Sequence, residues 1–413
     1  MRRLFCAPAI VLAVLGASER ARADSITLDQ AVARAARRPA VGMAGEDVAA
    51  AKGLASRARR PTYNPELGAA VGPRFAGGAT GVEVEASLAQ TIELGGKRAA
   101  RAAAADARVR ASDAELAIAL REAQLETRRA FHLALIANAR LDAAREAEAL
   151  ATQIDAATKE RQKLGSGTQL EINLATAELG RARHERNDAE NDYEASLVAL
   201  ATAVGAGPEE RLEPTGDLPA LAEARWSEED LIARAIAGRP EVLRVRAERE
   251  AAAADVRLAD ANGKPDVTLG LSYGFEQDPD ADAHTVLVSA SIPLPFRNRN
   301  QGERSASRAR LRRAEIDDQR QRDTIVRETR LAVRTYAKAR DAVMGFDADV
   351  NARLHDNLEL ARESFASGKI DYFEFNIVRR ELIANRAAYL DALAEAIDAW
   401  HTLLRASGEE QVP

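Results

Sequence analysis

Apolar residues in this chain follow two rhythms. One has the alternating three-and-four spacing of a helix seam: Leu116, Leu120, Ala123, Thr127, Ala130, Ala134, Ala137, Leu141 and Ala144 form such a row. The other has the period of two that marks a strand. Leu67, Ala69, Val71 and Phe75 share one parity, and Val82, Val84, Ala86 and Leu88 form the next row. Val267, Leu269, Leu271, Tyr273 and Phe275 alternate with polar or small residues, and Val286, Val288, Ala290 and Ile292 follow. The pattern predicts two hairpins, 66–92 and 266–292, with strands about 9–11 residues long. That length suits a tilted membrane-crossing strand; two soluble hairpins covered by helices are the alternative. Pro73 belongs at an edge or a bulge.

Helical stretches fill most of the remainder. A first helix is expected over 28–60, with Asp24 or Thr27 near its start. Its counterpart covers 228–262, with Ser227 as N-cap and an interruption at Arg239-Pro240. Lys97 to Leu164 contains no proline and no glycine, and as one helix it extends about 100 Å. A second long stretch runs from Glu303 to Phe365, broken by Gly345, with capping-box spacing between Asn300 and Glu303. Turns at 165–167 and 367–368 lead into returning helices over 169–204 and 370–406, so each half ends in an antiparallel helical hairpin.

The two halves repeat. Leu28 to Ala35 resembles Glu228 to Ala235, and Arg38-Pro39 matches Arg239-Pro240. Gly165, Glu171, Asn173, Glu178 and Leu179 recur 203 positions later as Gly368, Glu374, Asn376, Glu381 and Leu382. Compositional bias does not place Gly and Asn in register, so each half runs through one structural programme. Repeats are expected at 24–204 and 227–406, joined by a linker at 205–226 and followed by a tail at 407–413.

Composition narrows the class. The chain is 46% hydrophobic but only 4% aromatic, with 30% charged residues and a net charge of −6. Alanine-rich helices in close contact fit this better than a thick core. The two signs are interspersed, with no dominant basic footprint for nucleic acid. Arg2 and Arg3 precede an apolar run from Leu4 to Ala17, and Ala21-Arg22-Ala23 has small-x-small spacing. Residues 1–23 read as a signal peptide cleaved before Asp24. The single cysteine, Cys6, lies within that run, so it is not read as a lipidated N-terminus.

Four strands cannot close a barrel, and open edges are excluded from hydrocarbon. Strands pooled from three copies give twelve, enough to leave a water-filled channel. Glu83, Glu85, Ser87 and Thr91 on one strand, with Thr268, Ser272 and Glu276 on another, are candidates for its lumen. The expected fold is thus mainly α with a small membrane β part. It has duplicated halves, long antiparallel coiled-coil hairpins, and four strands contributing to a trimeric 12-stranded β-barrel.

In these features, across essentially the whole chain after the leader, the sequence resembles the TolC-type outer-membrane efflux proteins. Ile292-Pro293-Leu294-Pro295-Phe296-Arg297-Asn298-Arg299-Asn300-Gln301-Gly302 is similar to the strand-to-helix junction of their CzcC-like heavy-metal branch. The resemblance implies a passive exit duct in the outer membrane, a homotrimer without cofactors. It also implies docking to a periplasmic adaptor and an inner-membrane pump of the resistance-nodulation-division type, with heavy-metal cations as cargo. The adaptor would meet the helical tips at Leu164, Gly165, Ser166 and Gly167 and at Ser367, Gly368 and Lys369. Glu171, Asp371 and Glu374 lie close by and are candidates for an acidic entrance ring that favours cations. First-turn carboxylates favoured by the helix dipole are the alternative. A type I secretion or drug-efflux duct and a non-channel periplasmic coiled-coil scaffold remain open as other functions. No catalytic constellation is found. Gly96-Lys97 lacks the rest of a P-loop, and His132, His184, His284, His355 and His401 are scattered along the sequence as expected surface residues.

Overall fold

The computed structural model describes residues 24–76, 79–221, 227–277, 281–346, 357, 360–365 and 367–409. The first half runs β1 (Asp24–Ile26), α1 (Leu28–Ala35), α2 (Pro39–Ala58), β2 (Glu66–Ala76), β3 (Ala79–Ile92), α3 (Lys97–Lys163) and α4 (Gln169–Val204). The second runs β4 (Leu212–Pro214), α5 (Glu228–Gly238), α6 (Pro240–Asn262), β5 (Val267–Glu276), β6 (Ala283–Ser291), α7 (Gln301–Met344) and α8 (Tyr372–Ser407), with helical residues at 360–365 before α8. The expected leader lies outside the described residues.

The two hairpins join edge to edge. They form one antiparallel sheet in the order β2-β3-β5-β6, with Leu88 opposite both Leu67 and Leu271. Pro73 lies on β2, an edge strand, where its missing N–H is tolerated. β3 has 14 residues and exceeds the expected length. The helices nearest the sheet keep the same order: α2 packs on α3, α3 on α6, and α6 on α7. Each strand thus continues into the helix below it. Farther from the sheet, α4 takes the place of α2 beside α3, and α8 packs on both α3 and α7.

Arg-Pro dipeptides set the first bend in both halves. The expected single helix over 28–60 is in fact two, because Pro39 starts α2 just as Pro240 starts α6. Proline suits the first helical turn but removes a donor from any helix continuing through it. The preceding arginine then clamps the long helix. Arg38 donates to Glu126 at 2.5 Å, and Arg239 donates to Glu328 at 3.0 Å. A second repeated contact lies beside each clamp. Thr127 donates to the Ala203 carbonyl at 2.7 Å, and Thr329 to the Ala406 carbonyl at 3.0 Å.

Two other features depart from the sequence reading. Residues 205–226 contain β4, which pairs in parallel with β1. Asn300 does not cap α7 through its side chain. It sits in the left-handed region at φ 59°, and its amide donates to the Ala259 carbonyl of α6 instead.

The interior is a set of narrow seams rather than one core. Ala134, Phe131, Leu200 and Val204 pack where α3 meets α4, and Leu231, Ala332, Tyr336 and Leu403 where α5, α7 and α8 meet. Of the predicted seam, Ala123, Thr127, Ala134, Ala137 and Leu141 are buried, and the other four positions are half-buried.

The two repeated clamps are not equivalent. The partners Glu126 and Glu328 are both half exposed, but Arg239 is itself buried and also binds the Glu241 carboxylate, 18% exposed, at 2.8 Å, a contact for which Arg38 has no counterpart among the described residues. Arg239→Ala strands a largely buried carboxylate and is expected to cost about 3–5 kcal/mol. Arg38→Ala should cost about 1 kcal/mol or less. Parallel thermal unfolding of the two variants in detergent checks the difference; equal losses would refute the asymmetry.

Candidate functional site

Register fixes the two faces of the sheet. Directly opposed residues of an antiparallel pair point to the same side. Glu83 pairs with Glu276, Glu85 with Gly274, Ser87 with Ser272 and Thr91 with Thr268. All the candidate lumen residues therefore share one face. Glu83, Glu85 and Glu276 gather toward the hairpin ends, where Arg74 of β2 forms an ion pair with Glu276. Thr268 and Ser272 lie nearer the helices, and Thr268 shares a 2.9 Å hydrogen bond with Thr91. Gly68, Ala70 and Gly72 of β2 and Gly270 and Gly274 of β5 fall on this same face, so it is both polar and short-chained.

The opposite face is apolar and bare. Leu67, Val71, Phe75 and Val288 are 83%, 75%, 78% and 84% exposed. No helix covers them, which sets aside the reading of soluble hairpins roofed by helices. A contiguous exposed apolar face of this kind marks a surface that meets lipid or protein.

The helical tips are built twice on one plan. Gly165 and Gly368 both adopt left-handed backbone, φ 79° and φ 74°. At the first tip Gly165 N–H donates to the Gln162 carbonyl and Ser166 N–H to Arg161, both at 2.9 Å. At the second, Gly368 N–H donates to Phe365 at 3.1 Å and Lys369 N–H to Ser364 at 2.8 Å. This paired pattern satisfies the last carbonyls of the descending helix, and glycine adopts the required φ without strain. Gly167 serves differently: a Cβ there would meet the Gln162 backbone nitrogen at 2.9 Å.

Reciprocal caps then start the returning helices. The Glu171 carboxylate accepts from Thr168 N–H at 2.7 Å, and the Thr168 hydroxyl from Glu171 N–H at 3.2 Å. Asp371 and Glu374 repeat the exchange at 2.8 and 3.2 Å. All three candidate ring carboxylates thus already hold a helix end, in keeping with the helix-start alternative.

Sequence reasoning missed the apolar residues beside these caps. Leu164 is 82% exposed, and Leu170, Leu174, Phe373 and Ile377 are also exposed. Leu170 and Phe373 are related by the 203-residue offset, as are Leu174 and Ile377. That i, i+4 pair at repeat-related positions was the available signal. Behind the tips the two hairpins are clasped. Glu178 of α4 accepts from Arg380 at 3.0 Å and binds the buried Arg379, both on α8. Burial pushes the Glu178 carboxyl up, but the two arginines outweigh it and hold it below the usual range.

The family model for outer membrane efflux proteins matches residues 17–206 and 231–409. Among solved structures, one of CusC, whose description concerns folding and transmembrane channel formation, is 17% identical with a TM-score of 0.74. It covers 92% of this chain and 92% of its own. The outer membrane protein VceC from Vibrio cholerae is 19% identical, with a TM-score of 0.72 and coverage of 92% and 96%. The CmeC outer membrane channel of Campylobacter jejuni is 16% identical, with a TM-score of 0.75 and coverage of 92% and 85%. No curated protein matches the chain by sequence.

One pairing of titratable groups was not foreseen. His132 on α3 and His401 on α8, expected as separate surface residues, lie with Nδ1 and Nε2 3.2 Å apart. Burial, then the neighbouring positive charge of Arg128, pushes His132 down to about 4. Burial, then His132 and the arginines Arg129, Arg128 and Arg405, pushes His401 down to about 3. Both folded values lie below the ordinary 6.5, so the unfolded chain takes up protons that the folded chain refuses. Stability attributable to the pair is fully present above pH 6.5 and falls away from there toward about 4 and then 3. The expected outcome is a melting temperature that drops over this window in the native protein and drops less in His401→Phe. Parallel pH profiles of the two proteins would contradict the assignment.

Proposed function

The chain belongs to the outer membrane efflux protein family, and on that premise we propose that it is the passive exit duct of a tripartite pump exporting heavy-metal cations. Its family consists of outer-membrane channel proteins with a helical periplasmic part, not enzymes. The observation that carries the reading is the two-faced sheet. One face is bare and apolar, the other is acidic and glycine-rich, and the strands continue into a helix of 67 residues, about 100 Å long. A periplasmic scaffold has no use for a bare apolar sheet face. A channel wall needs one face for lipid and one for water.

Both outer edges of the sheet, on β2 and β6, lack a partner strand among the described residues. Three copies joined edge to edge close a barrel of twelve strands and satisfy those backbone groups. Glu83, Glu85 and Glu276 then recur around the lumen, and rings of carboxylates favour cations over anions. The similarity of 292–302 to the CzcC-like junction supports metal cargo in particular. The periplasmic adaptor docks on the tips through Leu164, Gly165, Ser166 and Gly167 and through Ser367, Gly368 and Lys369. The exposed Leu170 and Phe373 flank this contact, and a pump of the resistance-nodulation-division type in the inner membrane supplies the energy. Glu171, Asp371 and Glu374 ring the entrance with the carboxylate oxygens their caps leave free.

Growth of a strain lacking the gene, on zinc, cobalt, cadmium, nickel, copper and silver salts beside dyes and antibiotics, tests the cargo. Selective metal sensitivity restored by complementation is expected. Sensitivity to dyes and drugs alone would keep the duct and remove the metal assignment, and defective protein secretion alone would point to a type I system. The tips are tested separately. Replacing Gly165 and Gly368 with leucine forces a branched residue into left-handed backbone, at a cost of about 1–2 kcal/mol each. Such a variant should insert in outer membranes at normal levels yet lose adaptor cross-linking and efflux. Undiminished efflux would show that the tips are not the docking site.

A further inference from the structure

Where the strands meet the helices, the charge balance changes. Along the helices most arginines face a carboxylate within ion-pair distance, as Arg38, Arg108, Arg110, Arg129 and Arg249 do. At the strand–helix junctions cations are in surplus. Arg60 begins the α2–β2 connection, Arg98 opens α3, Lys264 leads into β5, and Arg297 and Arg299 follow β6. All five are exposed, and none has an ion-pair partner among the described residues. The acids available there are already committed. Glu93 binds Arg101 and Thr62, Asp266 binds Lys97, Asp260 binds Arg304, and Glu303 binds Arg310. The Arg101 hydrogen bonds, with Thr62, hold the Glu93 carboxyl down to about 2 against the opposing effect of burial. Glu66 alone among the acids nearest these junctions is left without a cation among the described residues.

Large apolar side chains accompany the cations. Phe296 and Leu294 are 78% and 67% exposed, and Tyr63 and Leu94 are also exposed. All four lie in the connections at the helix end of the sheet and keep, in sequence, the parity of its apolar positions. The opposite end has the reverse balance among the described residues, with Glu83, Glu276 and Asp282 there against Arg74. The sheet is thus flanked by acids at its hairpin tips and by cations with aromatic and aliphatic side chains at its helix end. In an outer-membrane channel with periplasmic helices, that second end meets the periplasmic leaflet.

We propose that these junctions form a basic collar that binds the anionic phospholipid headgroups of that leaflet. The guanidinium groups pair with headgroup phosphates, bidentately where geometry allows, while Phe296, Leu294 and Tyr63 enter the acyl boundary beside them. The collar fixes how deep the sheet sits. Its partner is a lipid surface, argued from charge complementarity and from continuity with the membrane-facing side of the sheet. The proposal rests on the outer-membrane reading given above.

The test uses the full-length protein reconstituted into nanodiscs of phosphatidylcholine, alone or with phosphatidylglycerol. Native mass spectrometry reads the lipid retained, and thermal dissociation of the assembly reads stability. The native protein should retain phosphatidylglycerol selectively, be stabilised by it, and lose both effects at high salt. R297Q/R299Q and R60Q/R98Q should each insert normally but lose selectivity by about fivefold per arginine. Unchanged selectivity in both variants would overturn the collar. So would stability lost equally with and without phosphatidylglycerol, which would mean that the arginines meet Glu66 of the adjoining copy. Stabilisation by inorganic phosphate in phosphatidylcholine discs to the same extent would overturn the lipid assignment. Failure to enter any bilayer would instead refute the membrane reading itself.

Discussion

The long helices of this protein are buried along narrow stripes, and in α3 and α6 alanine is the commonest residue of the stripe. That constraint organises everything else. A wall one helix thick has no room for a deep core, so the chain cannot rely on large side chains to fix its helices. Small residues let backbones approach closely instead, and the contact area comes from length. The 67 residues of α3 touch α2, α4, α6 and α8 in turn. The buried aromatic side chains Phe131, Tyr336 and Phe375 sit where three elements converge and a wider gap must be filled.

A wall held so thinly needs its register set by directional contacts. The repeated Arg–Glu clamps, the Thr hydroxyls on carbonyls of the returning helices, and the clasp of Glu178 by Arg379 and Arg380 do this at intervals along the long axis. None is a large energetic contribution by itself, because a charge pair recovers little more than its desolvation. Their effect is to exclude a slide of one helix past another, which an alanine seam alone resists poorly.

Much of this was legible in the sequence because period and punctuation are local signals. The strand parity of Val84, Glu85 and Ala86 and the glycines at 165 and 368 follow from one-residue geometry, and the structure places them as read. What escaped depended on partners distant in sequence. Pro39 is itself a local break signal, as its counterpart Pro240 is read, but the clamp of Arg38 on Glu126 that fixes the bend is not visible in the local sequence. β4 is three residues long and exists only because β1 returns to it. Asn300 has the spacing of a cap but spends its amide on Ala259, a contact created by α6. His132 and His401 are 269 positions apart, and no periodicity announces that their helices cross there. The tip carboxylates show the converse: local rules describe their caps completely and leave little to tell an entrance ring from a helix start.

The sheet offers a different strand at each of its two free edges, β2 from the first half and β6 from the second. The proposed closure would therefore run head to tail, each copy giving one edge and receiving the other, unlike a two-fold interface in which a surface meets itself. A subunit damaged on β2 alone still presents an intact β6 and is recruited by a healthy neighbour. The ring it joins cannot seal. Mutations confined to one edge strand should for that reason behave as dominant in a cell that makes both versions, whereas mutations that unfold the whole subunit should be recessive.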